Sequence, residues 1–493
     1  MKTEKTGLIK CFLIILVLSA CGCSSLPNKA AWPQYDSNPF VIQLNIPAPE
    51  DDKGSIIVED LNGDGLKDYL VTVPGHIAAY GHYGKELWIL KADIRISMDA
   101  EQKGLPGQQA PGLQAVDVDK DKKMDVLFLT QDSILHVVDA ASGKEKWTAK
   151  PPIPKGTRRW EHQVVGNFRG RGDTDLLLQT TNADGHRSGR YLTAYAIEDL
   201  KNANYTPLWS MDNFLPCSHT AARLADIDGD GRDEVIGGSL VSPEGKILYQ
   251  FPLASPSKYQ QPHFDAVDID DIRPDIPGLE VVIFEEGDFL QKDYKSHILV
   301  ANSNGLIWKS TYQRREPQDG AVGDFDPEKA GLEIFNRHRG IGMAAEPIPK
   351  EKFPPDGYQK PFVFDAFGNI ISDYSTKDMP PEWTPMGMQL CQTIHWTGSD
   401  KALIAATERT QRGRVAIFDA IGGKVLFYLK DEKADRLHVA DVSGDWREEM
   451  VILNGNVLHI YHNRQPNPNP NRPRLWQKQH YRRNKMTWNY STN

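Results

Sequence analysis

The chain has 493 residues, 25% of them charged, with 40 glycines and 33 prolines. That is too long for one simple sandwich and suits one large repeat domain, turn-rich rather than helical or disordered. A formal charge of −9 argues against a nucleic-acid binder, and the five cysteines form neither a disulfide framework nor a CxxC zinc pattern.

In chain order, the first element is a targeting signal. Lys2, Lys5 and Lys10 precede an apolar run from Cys11 to Leu18, and "LSAC" ends at Cys21. A short apolar core with a basic flank is a secretory signal, too short to persist as a membrane span. Its end resembles the bacterial lipoprotein box, whose cysteine becomes the lipidated first residue. Residues 1–20 then form the signal peptide and residues 21–53 an anchor and linker, with Cys21 as the lipidation site. Gly22 follows where an aspartate would favour inner-membrane retention. The expectation is an exported, monomeric, outer-membrane lipoprotein that meets the membrane only through this anchor. Further along, a Cys217–Cys391 bridge is open to an exported chain.

Internal repeats come next. "VEDLNGDGLKDYLV" from Val58 recurs as "AVDVDKDKKMDVLFL" from Ala115 and "ARLADIDGDGRDEVIGG" from Ala222. Weaker copies start at Val164, Ala266, Ala321 and His438, with a degenerate one at Cys391. Each loop lies between apolar, β-branched runs and so joins two strands. A second half-motif follows most copies, as in "LHVVDAASGKEKW" and "VAIFDAIGGKVLF": a strand, a glycine turn and another strand. Each unit is a four-stranded antiparallel sheet of roughly 40–70 residues, the size of a propeller blade. The expected fold is all-β, a β-propeller of seven or eight blades over residues 54–465, with a basic tail, 466–493, packed on it.

Three loops carry oxygen side chains at positions 1, 3, 5 and 9: Asp60, Asn62, Asp64 and Asp68; Asp117, Asp119, Asp121 and Asp125; and Asp226, Asp228, Asp230 and Glu234. Such a loop can wrap a hard cation that takes six to eight oxygens. An EF-hand needs a glutamate at position 12 and flanking helices, whereas Val71 or Gly237 stands there and the flanks are strands. These loops resemble the integrin-like, strand-connecting kind, and structural calcium is expected in all three. Arg169 and Arg171 take ligand positions in the third copy, which is expected to be metal-free. Zinc remains open to the histidines without a specific motif.

Five residues before each loop's first ligand position stand Ser55, Gly112, His162, Ala221, His263, Asp319 and Arg436. They are expected at the far end of the strand, about 16 Å away, around one mouth of a central channel. His219 shares their parity. The same face receives "RRWEH", "ADGHRSGRY", "SKYQQPH", "YQRREPQD", "NRHRG" and "ERTQRGR", a cationic set suited to an anionic polysaccharide. Arginine, histidine and tyrosine together meet the needs of β-elimination on a uronic acid. A cation pairs with the carboxylate and acidifies the C5 proton, one side chain removes that proton, and another protonates the departing O4. Paired carboxylates for glycoside hydrolysis are thinly supplied there.

The stretches "HFDAVDIDDIRPDIPGLEVVIFEEG" and "DGAVGDFDPEKAGLEIF" resemble the propeller-type polysaccharide lyases. The loops ending Gly-Leu-Glu look like those of rhamnogalacturonan lyases, while the size and the His/Tyr/Arg mouth look more like ulvan lyases. The resemblance implies cleavage of rhamnose–uronate bonds, ulvan first and rhamnogalacturonan as the alternative. It implies His162 and Tyr259 as the proton-transfer pair. His263 and Arg337 would face the carboxylate, with Arg339, Arg315 and His219 as further substrate contacts. Two other readings are a non-catalytic, calcium-dependent glycan-binding propeller and, from "VVDAASGKEKW", an assembly-lipoprotein or quinone-type propeller with tryptophan docking.

Overall fold

The computed structural model describes residues 35–49, 55–94, 113–181, 188–217, 221–252, 264–285, 297–310, 317–338, 358–380, 383–384, 387–409 and 413–487. They form eight antiparallel sheets of four strands each. First strands of neighbouring blades touch at seven of the eight junctions, including that of blade eight with blade one, and blades four and five share an apolar cluster, so the sheets close into a ring with their first strands innermost. The count is therefore eight, not seven.

Blades one to seven start at Ser55, Leu113, Trp160, Arg223, Phe264, Ala321 and Met388, and each is built from consecutive strands. Blade eight differs. Its inner three strands, Arg436–Ala440, Glu449–Asn454 and Val457–Tyr461, are completed by Phe40–Gln43 from the stretch read as linker. The register pairs Phe40 with Ile460 and Gln43 with Val457, and Asn38 Nδ2 donates to the His462 carbonyl.

Strands such as Asp68–Val73 and Glu280–Glu285 are buried at every residue, because each blade is sandwiched between two others. The apolar clusters accordingly lie between blades. One joins Ile57, Leu70 and Ala79 to Ala115, Val126 and Phe128, and another joins Ala225 and Ile236 to Val267 and Ile283. The second half-motif docks neighbours. Trp88 Nε1 donates to the Ala140 carbonyl, and its ring lies where a Cβ on Gly143 (φ +67°) would be 2.7 Å away. Trp209 with Gly245 and Trp308 with Gly368 repeat this. Tryptophan docking thus exists here alongside the aspartate loops, and the glycine leaves room for the incoming ring. Cys217 and Cys391 are free and buried, so the open disulfide is not formed.

The tail ends in a helix, Gln479–Thr487, that packs against the first strands of blades four, five and eight. Arg483 bonds Asp233 at 2.8 Å and Asp173 at 2.5 Å. Asn484 bonds Asp268, Lys485 bonds the Thr393 carbonyl, and Tyr481 donates to Glu448 at 2.7 Å.

Candidate functional site

The aspartate loops share one construction. In blade four Asp226 accepts from Gly229 N at 2.8 Å and Gly231 N at 3.0 Å, while Glu234 accepts from Ile227 N at 2.9 Å. In blade one Asp60 accepts from Gly63 N at 2.8 Å and Gly65 N at 2.9 Å, and Asp68 from Leu61 N at 2.9 Å. Both glycines of each loop have positive φ, between +77° and +86°. In blade two the same positions are Lys120 and Lys122, at φ +62° and +67°, a left-handed conformation that costs roughly 1–2 kcal/mol per residue without glycine.

The carboxylate opening the second strand is a clamp as well as a potential ligand. The hydrogen bond it accepts from its own loop recurs in blade three, where Asp175 accepts from Phe168 N at 2.9 Å. It recurs again in blade eight, where Glu449 accepts from Val442 N at 2.8 Å. One oxygen therefore holds the loop; in blade one the other already accepts from His82 N at 2.9 Å. Asp226, Asp228 and Asp230 each offer an oxygen within 4.8 Å of the others. Burial, together with Asp228, Asp230 and Asp226, pushes Glu234 up to about 8. Burial, with a smaller push from Asp64, raises Asp68 to about 6. Among the described residues no basic side chain bonds either clamp carboxylate. A hard dication would relieve this crowding, so the donor set of loop four fits calcium, whereas Asp60, Asp64 and Asp68 of loop one are not gathered within the same distance.

The opposite rim differs from the sequence expectation. His162, on the first strand of blade three, is 5% exposed, and its Nε2–H donates to the Ala222 carbonyl of blade four at 3.1 Å. Burial lowers it to about 4, so the ring is neutral and packed between blades. Its neighbour Gln163 turns the other way, to the Leu127 carbonyl of blade two at 3.2 Å. Alternation on an innermost strand therefore directs side chains to the two flanking blades, and shared parity does not make them converge on the channel.

Arg337 is also internal. It and Asp319 are both 0% exposed and form an ion pair. Arg337 Nη1 donates to Gln318 Oε1 at 2.9 Å, and Asp319 Oδ2 accepts from Cys391 N of blade seven at 2.9 Å. Asp319 thus neutralises the guanidinium that was expected to face a substrate carboxylate. Arg436 is buried too.

In blade five the register itself shifts. Asp270 pairs with Glu280 as Glu59 pairs with Asp68, which makes Asp271 the first loop position. Five residues back is then Ala266, not His263, although His263 still immediately precedes the blade's first strand. Tyr259, His263, His219, Arg315, Arg339 and Cys21 lie outside the described residues.

Two groups at this rim lie in stretches that the sequence places there, "ERTQRGR" and "RRWEH", Glu161 being one of the carboxylates thinly supplied for hydrolysis. Arg409 is 4% exposed and donates to the same Gln318 oxygen as Arg337. Glu161, beside Arg159 at 3.4 Å, is pushed up to about 8 by burial, which the guanidinium only partly offsets. A carboxyl that stays protonated near neutrality is a candidate proton donor. Nothing in the local sequence marks it, because its state depends on burial.

The description "Rhamnogalacturonan lyase family 11, C-terminal domain" matches residues 199–493. Two Bacillus subtilis (strain 168) proteins are similar. Rhamnogalacturonan endolyase YesW is 23% identical over 429 residues, covering 83% of this chain and 61% of that protein. Rhamnogalacturonan exolyase YesX is 28% identical over 362 residues, covering 68% of this chain and 53% of that protein. The chain thus spans only part of these relatives' length. The crystal structure of the exotype rhamnogalacturonan lyase YesX superposes with a TM-score of 0.63 at 19% identity, covering 87% of this chain and 76% of that one. The V. cholerae biofilm matrix protein Bap1 reaches a TM-score of 0.52 at 14% identity, covering 88% of this chain and 90% of that one, a likeness of fold. With its matched segment exceeding half of the sequence, the chain belongs to rhamnogalacturonan lyase family 11.

Proposed function

We propose that this protein is a polysaccharide lyase of the rhamnogalacturonan type, cutting rhamnose–uronate bonds by β-elimination to leave an unsaturated uronic acid. The supporting observation is the family match over residues 199–493, joined by two relatives named as rhamnogalacturonan lyases. These favour rhamnogalacturonan over ulvan as the polymer. In the reaction a cation pairs with the uronate carboxylate, a base takes the C5 proton, and an acid protonates O4 as the C4–O4 bond breaks. Tyr259, His263, Arg315, Arg339 and His219 are the proposed substrate-facing groups. With their side chains committed to Ala222 and Asp319, His162 and Arg337 act as positioning residues. We further propose export as an outer-membrane lipoprotein lipidated at Cys21, and function as a monomer.

Incubation with rhamnogalacturonan I, ulvan and homogalacturonan tests this through the ultraviolet absorbance of the unsaturated uronate. Absorbance is expected to rise with rhamnogalacturonan, and Tyr259→Phe and His263→Ala should each lose about 10²–10⁴-fold in rate. No product from any of these polymers, with retained glycan binding, would replace the lyase by a binding propeller.

Calcium is proposed in loops one and four, held by Asp60, Asn62, Asp64 and Asp68 and by Asp226, Asp228, Asp230 and Glu234. Its contribution is structural: a dication binding only the folded ring stabilises it by about 2.7 kcal/mol per site at a hundredfold excess over Kd. A chelator should therefore lower Tm, and added calcium should restore it. A Tm indifferent to both contradicts this role.

A further inference from the structure

The blade-two loop has the aspartates of a calcium loop and a different neighbour. Asp117, Asp119 and Asp125 bring carboxylate oxygens within 4.8 Å of one another, and the Asp125 side chain is 1% exposed. Lys146, on the same blade's fourth strand, Glu145–Ala149, reaches into this group. Its Nζ lies 2.8 Å from Asp119 Oδ2, 2.8 Å from Asp125 Oδ1 and 4.0 Å from Asp121 Oδ2. Calcium bound to these oxygens would sit about 2.3–2.6 Å from each, in the space the ammonium holds.

Strand register shows this lysine to be a departure from the blade pattern. The third and fourth strands of blade two pair Val138 with Glu145 and Val137 with Trp147, leaving Lys146 as the extra residue of a bulge. The same bulge recurs elsewhere, and its extra residue is apolar: Leu87 in blade one, Leu248 in blade four, Ile307 in blade five, Ile371 in blade six and Leu426 in blade seven. In blades one and four, where calcium is proposed, leucine occupies this place. Their basic neighbours are engaged away from the clamp carboxylates: Lys67 pairs with Glu59, and Arg232 with Asp230 and Glu244. Blade three reaches a similar end by another route, Arg169 Nε lying 2.7 Å from the clamp carboxylate Asp175.

We infer that Lys146 is the resident cation of the blade-two loop, bridging Asp119 and Asp125 where a metal would bind, so that this loop takes no calcium. The ring then carries two kinds of aspartate loop, those that recruit an ion and those neutralised by the chain itself. The expected calcium site at Asp117, Asp119, Asp121 and Asp125 is thereby withdrawn. The inference rests on the reading that such loops bind calcium, and the test separates the two.

Lys146→Leu installs the residue of blades one and four, and Lys146→Gln is a milder replacement should leucine impair folding. Bound ions are counted by calcium titration of the metal-stripped full chain and located by anomalous diffraction from a lanthanide. The variant should bind one ion more than the wild type, at Asp117–Asp125, and gain a larger calcium-induced rise in Tm. An ion already between those aspartates in the wild type, or no gain in a folded variant, overturns the inference. Empty loops one and four beside a gained blade-two ion would sink only the wider calcium reading.

Discussion

Asp319→Asn should cost about 3–5 kcal/mol, the toll of leaving a buried charge without its partner. Arg337 and Asp319 are both fully enclosed, and a second guanidinium, that of Arg409, converges with Arg337 on Gln318 Oε1. The carboxylate of Asp319 thus offsets positive charge in this buried region. It also holds the blade-seven amide of Cys391 at 2.9 Å, so its loss weakens one junction of the ring as well as one ion pair. Replacing both partners, as Asp319→Leu with Arg337→Met, removes the orphaned charge and should recover most of the stability, since buried pairs exchange for apolar ones at little net cost. Denaturant unfolding of the two variants checks this. A double variant no better than the single one would mean that the pair itself, rather than charge balance, carries the stability.

Arg483→Met should destabilise on a similar scale, about 3–5 kcal/mol, although it lies in the tail. Its guanidinium joins Asp173 of the blade-three loop to Asp233 of the blade-four loop, and Asp233 is 1% exposed. Among the described residues that buried carboxylate then keeps a neutral donor, Asn167 N at 2.7 Å. A chain ending after Pro473 should fall further, since it also frees Asp441 from Arg474 and Glu448 from Tyr481 and Lys485. Thermal melts of both forms measure the effect. A truncated chain that melts with the full-length protein would show the helix to be an ornament on the ring.

The architecture was legible because a propeller writes its blade into the sequence repeatedly: an aspartate loop, then a glycine turn. The blade-eight strand Phe40–Gln43 was not, since it carries neither mark and pairs with residues at the other end of the chain. The blade-five register was ambiguous because "DIDD" offers several first positions, and only the pairing of Asp270 with Glu280 selects one. The site was harder to read than the fold. His162 and Gln163 are adjacent yet reach carbonyls on different blades. A sequence period of two names two faces, and in a ring both faces are interior. Lys146 escaped notice for a related reason: it meets Asp119 across 27 positions, outside any loop motif.

Phe40–Gln43 has a consequence for how such a molecule is made. Asn38 and His462 meet across 424 positions. A polypeptide delivered from its N-terminus must hold this segment in waiting until residues 457–461 have been synthesised. The last hairpin is then a lock that ties Phe40–Gln43 to Val457–Tyr461, and a protease cutting between Asn454 and Val457 would undo the clasp without cutting any other blade.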